Sequence, residues 1–318
     1  MLNIGIIGVS EGNGHPFSFS AIVNGYDDEG LRQSGWKVIY DYVRERHPSE
    51  FGFDGVQVSH VWTQEPEQTR RLQAACSIPC AVEHWSDLED AVDAVILARD
   101  DHKRHAEMAL PLLEAGLPVF VDKPLSLDSE DLQRFRPYLE GGQLMSCSGL
   151  RYARELDEAR ANVESYGSFR CVRGAVVLGW EKYAIHLLEA VSTVLPSVPV
   201  SVAPVPAEHA SVAITMSDGT LFQLDALGSV PKTFQVDLWG TDRRSTHEIT
   251  DNFTAFRRTL CHFVEMTRSG TPPIDPKETI HLMHVLQAGR QALEEKRIVT
   301  VREVEETTNQ GEASSHSE

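Results

Sequence analysis

Leu2-Asn3-Ile4-Gly5-Ile6-Ile7-Gly8-Val9 opens the chain as an apolar run, and Ser10-Glu11-Gly12-Asn13-Gly14-His15 follows it. A continuous apolar run that stops at glycine is the pattern of a strand buried on both faces of a parallel sheet. Val56–Trp62 is the next such run, and Glu65–Ala75 after it has helical spacing. Ala91–Ala98 contains a third strand, Val92–Leu97. His105–Ala115 reads as a helix, Gly116 as its C-cap and Pro118–Val121 as a strand. Strands separated by helices imply right-handed crossovers and a sheet covered on both faces. Leu144–Leu150 reads as a last strand of that sheet.

Beyond it the pattern changes. Phe169–Leu178, Ser211–Met216, Thr220–Leu227 and Phe234–Gly240 are β-rich, and Ser217-Asp218-Gly219-Thr220 is a hairpin signal. Helices follow near Asn252–Arg268, behind a cap at Asp251, and near Lys277–Lys296. The expected class is α/β: an N-terminal doubly wound parallel sheet, then an α+β domain with a mainly antiparallel open sheet. The expected limits are 1–125, with an insertion at about 24–54, and 126–302, of which 126–150 can return to the first domain. Residues 303–318 read as a disordered acidic tail.

Composition narrows the partners. The chain of 318 residues has a formal charge of −18, and five of its acids fall from Glu303 onward with no Lys or Arg among them, leaving −13 for the rest. Such a surface repels phosphate backbones, so nucleic acid is excluded as a partner. No run approaches the roughly 18 apolar residues that span a bilayer, and the N-terminus has no basic region or cleavage site. No membrane partner and a cytoplasmic location are expected. The five cysteines are scattered, and Cys76 and Cys80 have no second pair, so they read as reduced thiols. His281 with His284, and His102 with His105, lack neighbouring Cys or carboxylate ligands, and no metal site is expected.

The turn after the first strand is where chemistry begins. A dinucleotide fingerprint uses three glycines, for a tight turn, for close approach of pyrophosphate and for helix packing. Gly8 fits the first; Ser10 stands where the second belongs, and Gly12 and Gly14 arrive out of step. Backbone amides from Gly8, Ser10, Gly12, Asn13, Gly14 and His15 still suit an anion near a helix N-terminus. The acid that meets the adenosine ribose is missing after Trp62. Thr63 suits a ribose hydroxyl or a 2′-phosphate environment, so NAD and NADP both stay open.

Gly116-Leu117-Pro118-Val119-Phe120-Val121-Asp122-Lys123-Pro124-Leu125 sets a lysine at the carboxyl edge of the sheet, where ligands bind, with a stiffening proline behind it. With His105, Ala115-Gly116, Val119 and Asp122-Lys123-Pro124, the chain resembles the Gfo/Idh/MocA family of NAD(P)-dependent sugar-type oxidoreductases. The resemblance spans roughly Met1 to Val301 and is specific around 95–125. It implies that Lys123 lies between nicotinamide and a substrate hydroxyl as a proton relay. It further implies that Arg99-Asp100-Asp101, His105, Asp122 and Pro124 line the cofactor pocket, and that Arg151 and Tyr152 meet substrate. The family also carries an Asp and a His four residues apart on a helix facing the substrate. His186 matches the histidine, but position 182 is Lys, a departure that would lower the histidine's basicity. Tyr183 or Glu181 is then a substitute partner, and Lys182 a site for an acidic substrate group.

The resemblance implies an NAD(P)-dependent dehydrogenase acting on a small polyol, sugar-derived or related hydroxy substrate, and a homo-oligomer, dimer or tetramer. Two alternatives keep the fold: a catalytically inactive dinucleotide- or sugar-binding regulatory protein, and a non-oxidative enzyme that uses tightly bound NAD transiently.

Overall fold

The computed structural model describes residues 1–306, and contacts divide the chain into two units. The first comprises residues 1–126, 131–147 and 256–276; the second comprises 127–130, 148–255 and the chain from 277 onward.

The first unit contains β1 (Leu2–Ile7), α1 (His15–Asn24), α2 (Asp28–Arg32), α3 (Lys37–Arg44), β2 (Val56–Trp62), α4 (Pro66–Cys76), β3 (Cys80–Ala81), β4 (Ala94–Leu97), α5 (His105–Glu114), β5 (Val119–Val121), most of α6 (Ser129–Glu140) and β6 (Leu144–Ser146). Its six strands form one parallel sheet in the order β3-β2-β1-β4-β5-β6. Ile4, Ile6, Val58, Val61, Ile96 and Phe120 are buried, as apolar strands covered on both faces require. The strand order reverses between β1 and β4. That is the switch point of a doubly wound sheet, where the carboxyl ends of the strands leave a ligand crevice.

Two glycines shape this unit. A Cβ on Gly8 would run into the Pro16 ring, so glycine there lets α1 pack close to the end of β1. Gly116, at φ +92°, ends α5 in the left-handed conformation that glycine takes without penalty. The insertion is held by backbone bonds from Asp27 N to Ala75 O (2.9 Å) and from Gly52 N to Ile22 O (2.8 Å). Its Trp36 and Ile39 side chains pack where a Cβ of Gly14 would stand, so it reaches the glycine turn.

The second unit contains α7 (Asp157–Ala161), β7 (Phe169–Val176), α8 (Ile185–Ser192), β8 (Pro199–Pro204), β9 (Ala210–Met216), β10 (Leu221–Ala226), β11 (Phe234–Gly240), β12 (Arg244–Glu248), the start of α9 (Asn252–Ser269), α10 (Pro276–Glu295) and β13 (Val299–Thr300). Its seven strands run β12-β11-β7-β10-β9-β8-β13, with β7 and β10 parallel and the other pairs antiparallel. The β9–β10 hairpin turns on Gly219 at φ +87°, with Thr220 N donating to Asp218 Oδ1 (2.9 Å). Asp251 Oδ1 accepts Thr254 N at the start of α9 (3.0 Å).

Two stretches depart from the expected limits. Residues 256–276 belong with the first unit, because Phe256 packs on Phe19 (ring centroids 5.3 Å apart) and Phe263 on Phe120 (5.9 Å). Residues 303–306, assigned to the tail, are helical, and Arg297 pairs with Glu303 (2.6 Å). The rest of the expected tail, 307–318, lies outside the described residues. Among the described residues no helix is long and apolar enough to cross a membrane, and no group of three or more His, Cys, Asp or Glu side chains is arranged to hold a metal.

Candidate functional site

In the first unit, polar side chains gather at the carboxyl ends of β1, β4 and β5. The Lys123 ammonium, 4% exposed as a residue, lies 3.6 Å from Asp100 Oδ2. Asp100 is also buried and is gripped from β1: Ser10 Oγ donates to its Oδ1 (2.7 Å) and accepts its amide (3.1 Å). Ser10, which departs from the glycine pattern, therefore ties the first turn to the carboxylate beside the lysine.

Asp122, the neighbour of Lys123, looks the other way. Its Oδ2 accepts Asn13 Nδ2 (2.9 Å) and lies 2.6 Å from His15 Nδ1, while its Oδ1 accepts the Lys123 amide (2.9 Å). Burial alone would raise this carboxyl. The His15 ring, the Lys123 charge and the bonds from His15 and Asn13 outweigh burial and hold it well below the usual carboxylate range.

The residues expected to hold a cofactor divide sharply. At the turn, Gly12 has φ +76° and nothing within 4 Å of where a Cβ would stand, an open cradle beside the backbone. The cap of α1, Gly14, makes no side-chain bond, and no acid lies in the helix's first turn. These features fit a dinucleotide phosphate. The cradle is narrow, however: His15 N donates to Asn13 Oδ1 (2.8 Å), Pro16 has no N–H, and Phe17 N and Ser18 N turn to Gly14 O. The fit therefore rests on the Ser10–Gly12 stretch rather than on the helix amides.

Three of the residues expected to hold the cofactor have their side chains engaged within the unit. Thr63 is buried, and its Oγ1 donates to Glu65 O (2.8 Å) and meets Thr69 Oγ1 (2.9 Å), so it secures the start of α4. Arg99 grips Asp101 through two nitrogens (2.9 and 2.6 Å) and reaches Val9 O (3.1 Å) and Gln64 Oε1 (2.9 Å), locking the β4 loop onto the β1 turn. Against the effect of burial, that fork holds the Asp101 carboxyl below its ordinary value. His105 is fully buried. Its Nδ1 lies 2.8 Å from Leu125 O and its Nε2 3.0 Å from Arg99 O, so it straps the loops after β4 and β5. Burial lowers its pKa against the pull of those carbonyls. Gln64, which the sequence did not single out, joins this lock: Val9 N donates to its Oε1 (3.1 Å) and its Nε2 donates to Val9 O.

In the second unit, His186 is buried on α8, directly after a π-helical turn, Trp180–Ala184. Such turns recur at functional sites. Its ring packs edge-on to Tyr183 and Phe234, with centroids 5.4 Å away in each case. Its Nδ1 lies 2.6 Å from Ser148 Oγ. Position 182 does not replace the missing acid, since Lys182 is exposed, and Glu181 is exposed too, 3.8 Å from Arg290. Lys182 and Tyr183 instead line a cavity of about 500 Å³ with Trp180, Arg290 and Leu293.

Arg151, expected to meet substrate, is committed to Glu189 (2.7 Å) and Glu278 (2.9 Å), tying α8 to α10. Burial works against its charge, but the two carboxylates outweigh burial and hold the guanidinium protonated. Tyr152 sits beside it on the same short helical turn, half-buried. Ser148 and Glu189 carry no motif; only the fold brings them to His186 and Arg151.

Known proteins agree with this architecture. Residues 2–144 match the family model described as an oxidoreductase family with an NAD-binding Rossmann fold, Gfo/Idh/MocA. An inositol 2-dehydrogenase of Corynebacterium glutamicum is 33% identical over 114 residues, covering 32% of this chain and 32% of that protein. The matched stretch thus spans about a third of the curated relatives' length. The myo-inositol 2-dehydrogenase of Lactobacillus plantarum shares the fold over 94% of this chain and 99% of its own (TM-score 0.75, 16% identity). So does the scyllo-inositol dehydrogenase of Lactobacillus casei, solved with NAD(H) and scyllo-inositol, over 95% and 99% (TM-score 0.74, 14% identity). Residues 2–144 are thus similar to the Gfo/Idh/MocA oxidoreductase family, and the chain shares the two-sheet fold of these solved structures.

Proposed function

We propose that the chain is an NAD(P)-dependent dehydrogenase acting on the CH–OH group of a polyol or sugar-derived substrate. The observation that carries this reading is Lys123, buried at the carboxyl end of β5 and paired with Asp100 at the end of β4, the strand that borders the switch point. The nicotinamide, when bound, takes up the hydride in oxidation or supplies it in reduction. The chain's own residues handle the rest. Ser10 and Asp100 fix where the Lys123 ammonium sits, and Lys123 orients the substrate hydroxyl and relays its proton. Asp122, kept ionised by His15 and Asn13, holds the lysine's backbone and the glycine turn in one arrangement. The relatives named above act on inositols, which favours a cyclic polyol over a simple alcohol.

A second reading, ligand binding without turnover, draws on one observation: Thr63 and Arg99 are turned inward and bound. The test is a panel of inositols, sugars and sugar acids with NAD⁺ and with NADP⁺, followed by nicotinamide absorbance. Reduction of either cofactor with at least one substrate supports the dehydrogenase. Cofactor binding without turnover across the panel supports the second reading.

A further inference from the structure

Position 182, where the family carries an acid, is Lys, and within the second unit Ser148 Oγ stands 2.6 Å from His186 Nδ1. We infer that Ser148 is the positioning residue for His186, and that it imposes the opposite tautomer from the one an acid would impose.

Ser148 is fully buried, and its polar atoms can be followed one by one. Its amide hydrogen-bonds the Glu189 carboxylate. Its Oγ accepts Leu150 N (3.1 Å) and lies 2.6 Å from His186 Nδ1. A hydroxyl has one proton to give. If the ring donated from Nδ1, Oγ would accept twice, and its own buried proton would need a third partner that none of the described groups offers. The consistent arrangement has Oγ–H donating to a bare Nδ1, with the ring proton on Nε2. A carboxylate accepts only, so it would draw the proton to Nδ1 and leave Nε2 bare, ready to act as a base. Tyr183 and Phe234 flank the ring and hold its plane.

The consequence rests on the dehydrogenase reading. With its proton on Nε2, His186 offers an N–H donor from that nitrogen instead of a lone pair that takes up a proton. The serine thus turns a base into a hydrogen-bond donor without changing the histidine.

The test is a long-range proton–nitrogen NMR spectrum of the full chain labelled with ¹⁵N-histidine at neutral pH, with His186 assigned by its loss in His186→Gln. The expected pattern is a protonated Nε2 and a bare Nδ1. Ser148→Thr should keep that pattern, and Ser148→Ala should give a mixture of tautomers. With a substrate in hand, Ser148→Ala should lower kcat about tenfold, as loss of a partner that orients a site histidine does, and Ser148→Thr should restore it. A proton on Nδ1 in the unsubstituted chain would overturn the inference, whether or not any variant folds. A single unchanged tautomer in Ser148→Ala would overturn it too. The expected tautomer in a protein that turns over no polyol would sink the dehydrogenase reading and leave Ser148's role intact.

Discussion

Lys123 Nζ and Asp100 Oδ2 lie 3.6 Å apart, both buried, at the carboxyl ends of adjacent strands of the parallel sheet. A buried lysine at this edge needs a counter-charge, and Asp100 supplies it while Ser10 holds Asp100 in turn. Lys123→Ala should therefore lower turnover by about 10²–10⁴, the span of a lost proton-handling group, while dinucleotide affinity changes little. Turnover within a fewfold of the parent chain would remove Lys123 from the mechanism. Steady-state kinetics beside a binding titration make the check.

Asp122→Asn tests the carboxylate that does not face the lysine ammonium. The folded-state pKa of Asp122 is depressed, so its contribution to stability is present above the unfolded value of about 4 and is lost as pH falls through the folded one. The variant should be less stable than the parent at neutral pH, and the gap should narrow as pH drops below about 4. Urea unfolding across pH measures it; a gap that widens in acid contradicts the assignment.

Gly8 and Gly12 should separate folding from binding. Gly8→Ala meets the Pro16 ring and should lower stability with no route to relief short of moving α1. Gly12→Ala meets nothing but must hold a left-handed φ, a cost of about 1–2 kcal/mol. Its larger effect should be on dinucleotide binding, because the methyl group enters the open cradle. Equal losses of affinity in both variants, at matched stability, would argue that Gly12 faces no ligand.

How much of this was legible beforehand differs by level. β2 and β11 were readable residue for residue, because apolar and β-branched side chains follow a strand's period and turn residues bound them. β12 was not: Arg244–Glu248 is a polar strand at the edge of its sheet, with little to bury. β8 was hidden by prolines at both ends, and α6 by its charged face and Pro137. At the site, Lys123 was visible because strand, acid, lysine and proline are contiguous. The fates of Thr63, Arg99 and His105 were not, since each is decided by a carbonyl or hydroxyl that the fold delivers.

Arg151→Met probes the ion pairs that join α8 to α10. Removing the guanidinium leaves Glu189 buried without its counter-charge, a loss of about 3–5 kcal/mol. Burial already pushes the Glu189 carboxyl up against the pull of Arg151. A raised acid favours the folded state as pH falls, so the deficit should shrink on acidification. Denaturant titrations at neutral and mildly acidic pH supply the comparison, and a deficit independent of pH would show that Glu189 is not the group left exposed to the cost.

The most direct test of the central claim is a titration of the purified, cofactor-free protein with NADH and with NADPH, followed by tryptophan quenching or calorimetry. Saturable binding of at least one, at dissociation constants of roughly micromolar order, or about −8 kcal/mol, is the predicted result, with Gly12→Ala weaker than the parent. A folded protein that binds neither would contradict it, and would make the turn between Gly8 and His15 a relic of a site the chain no longer has.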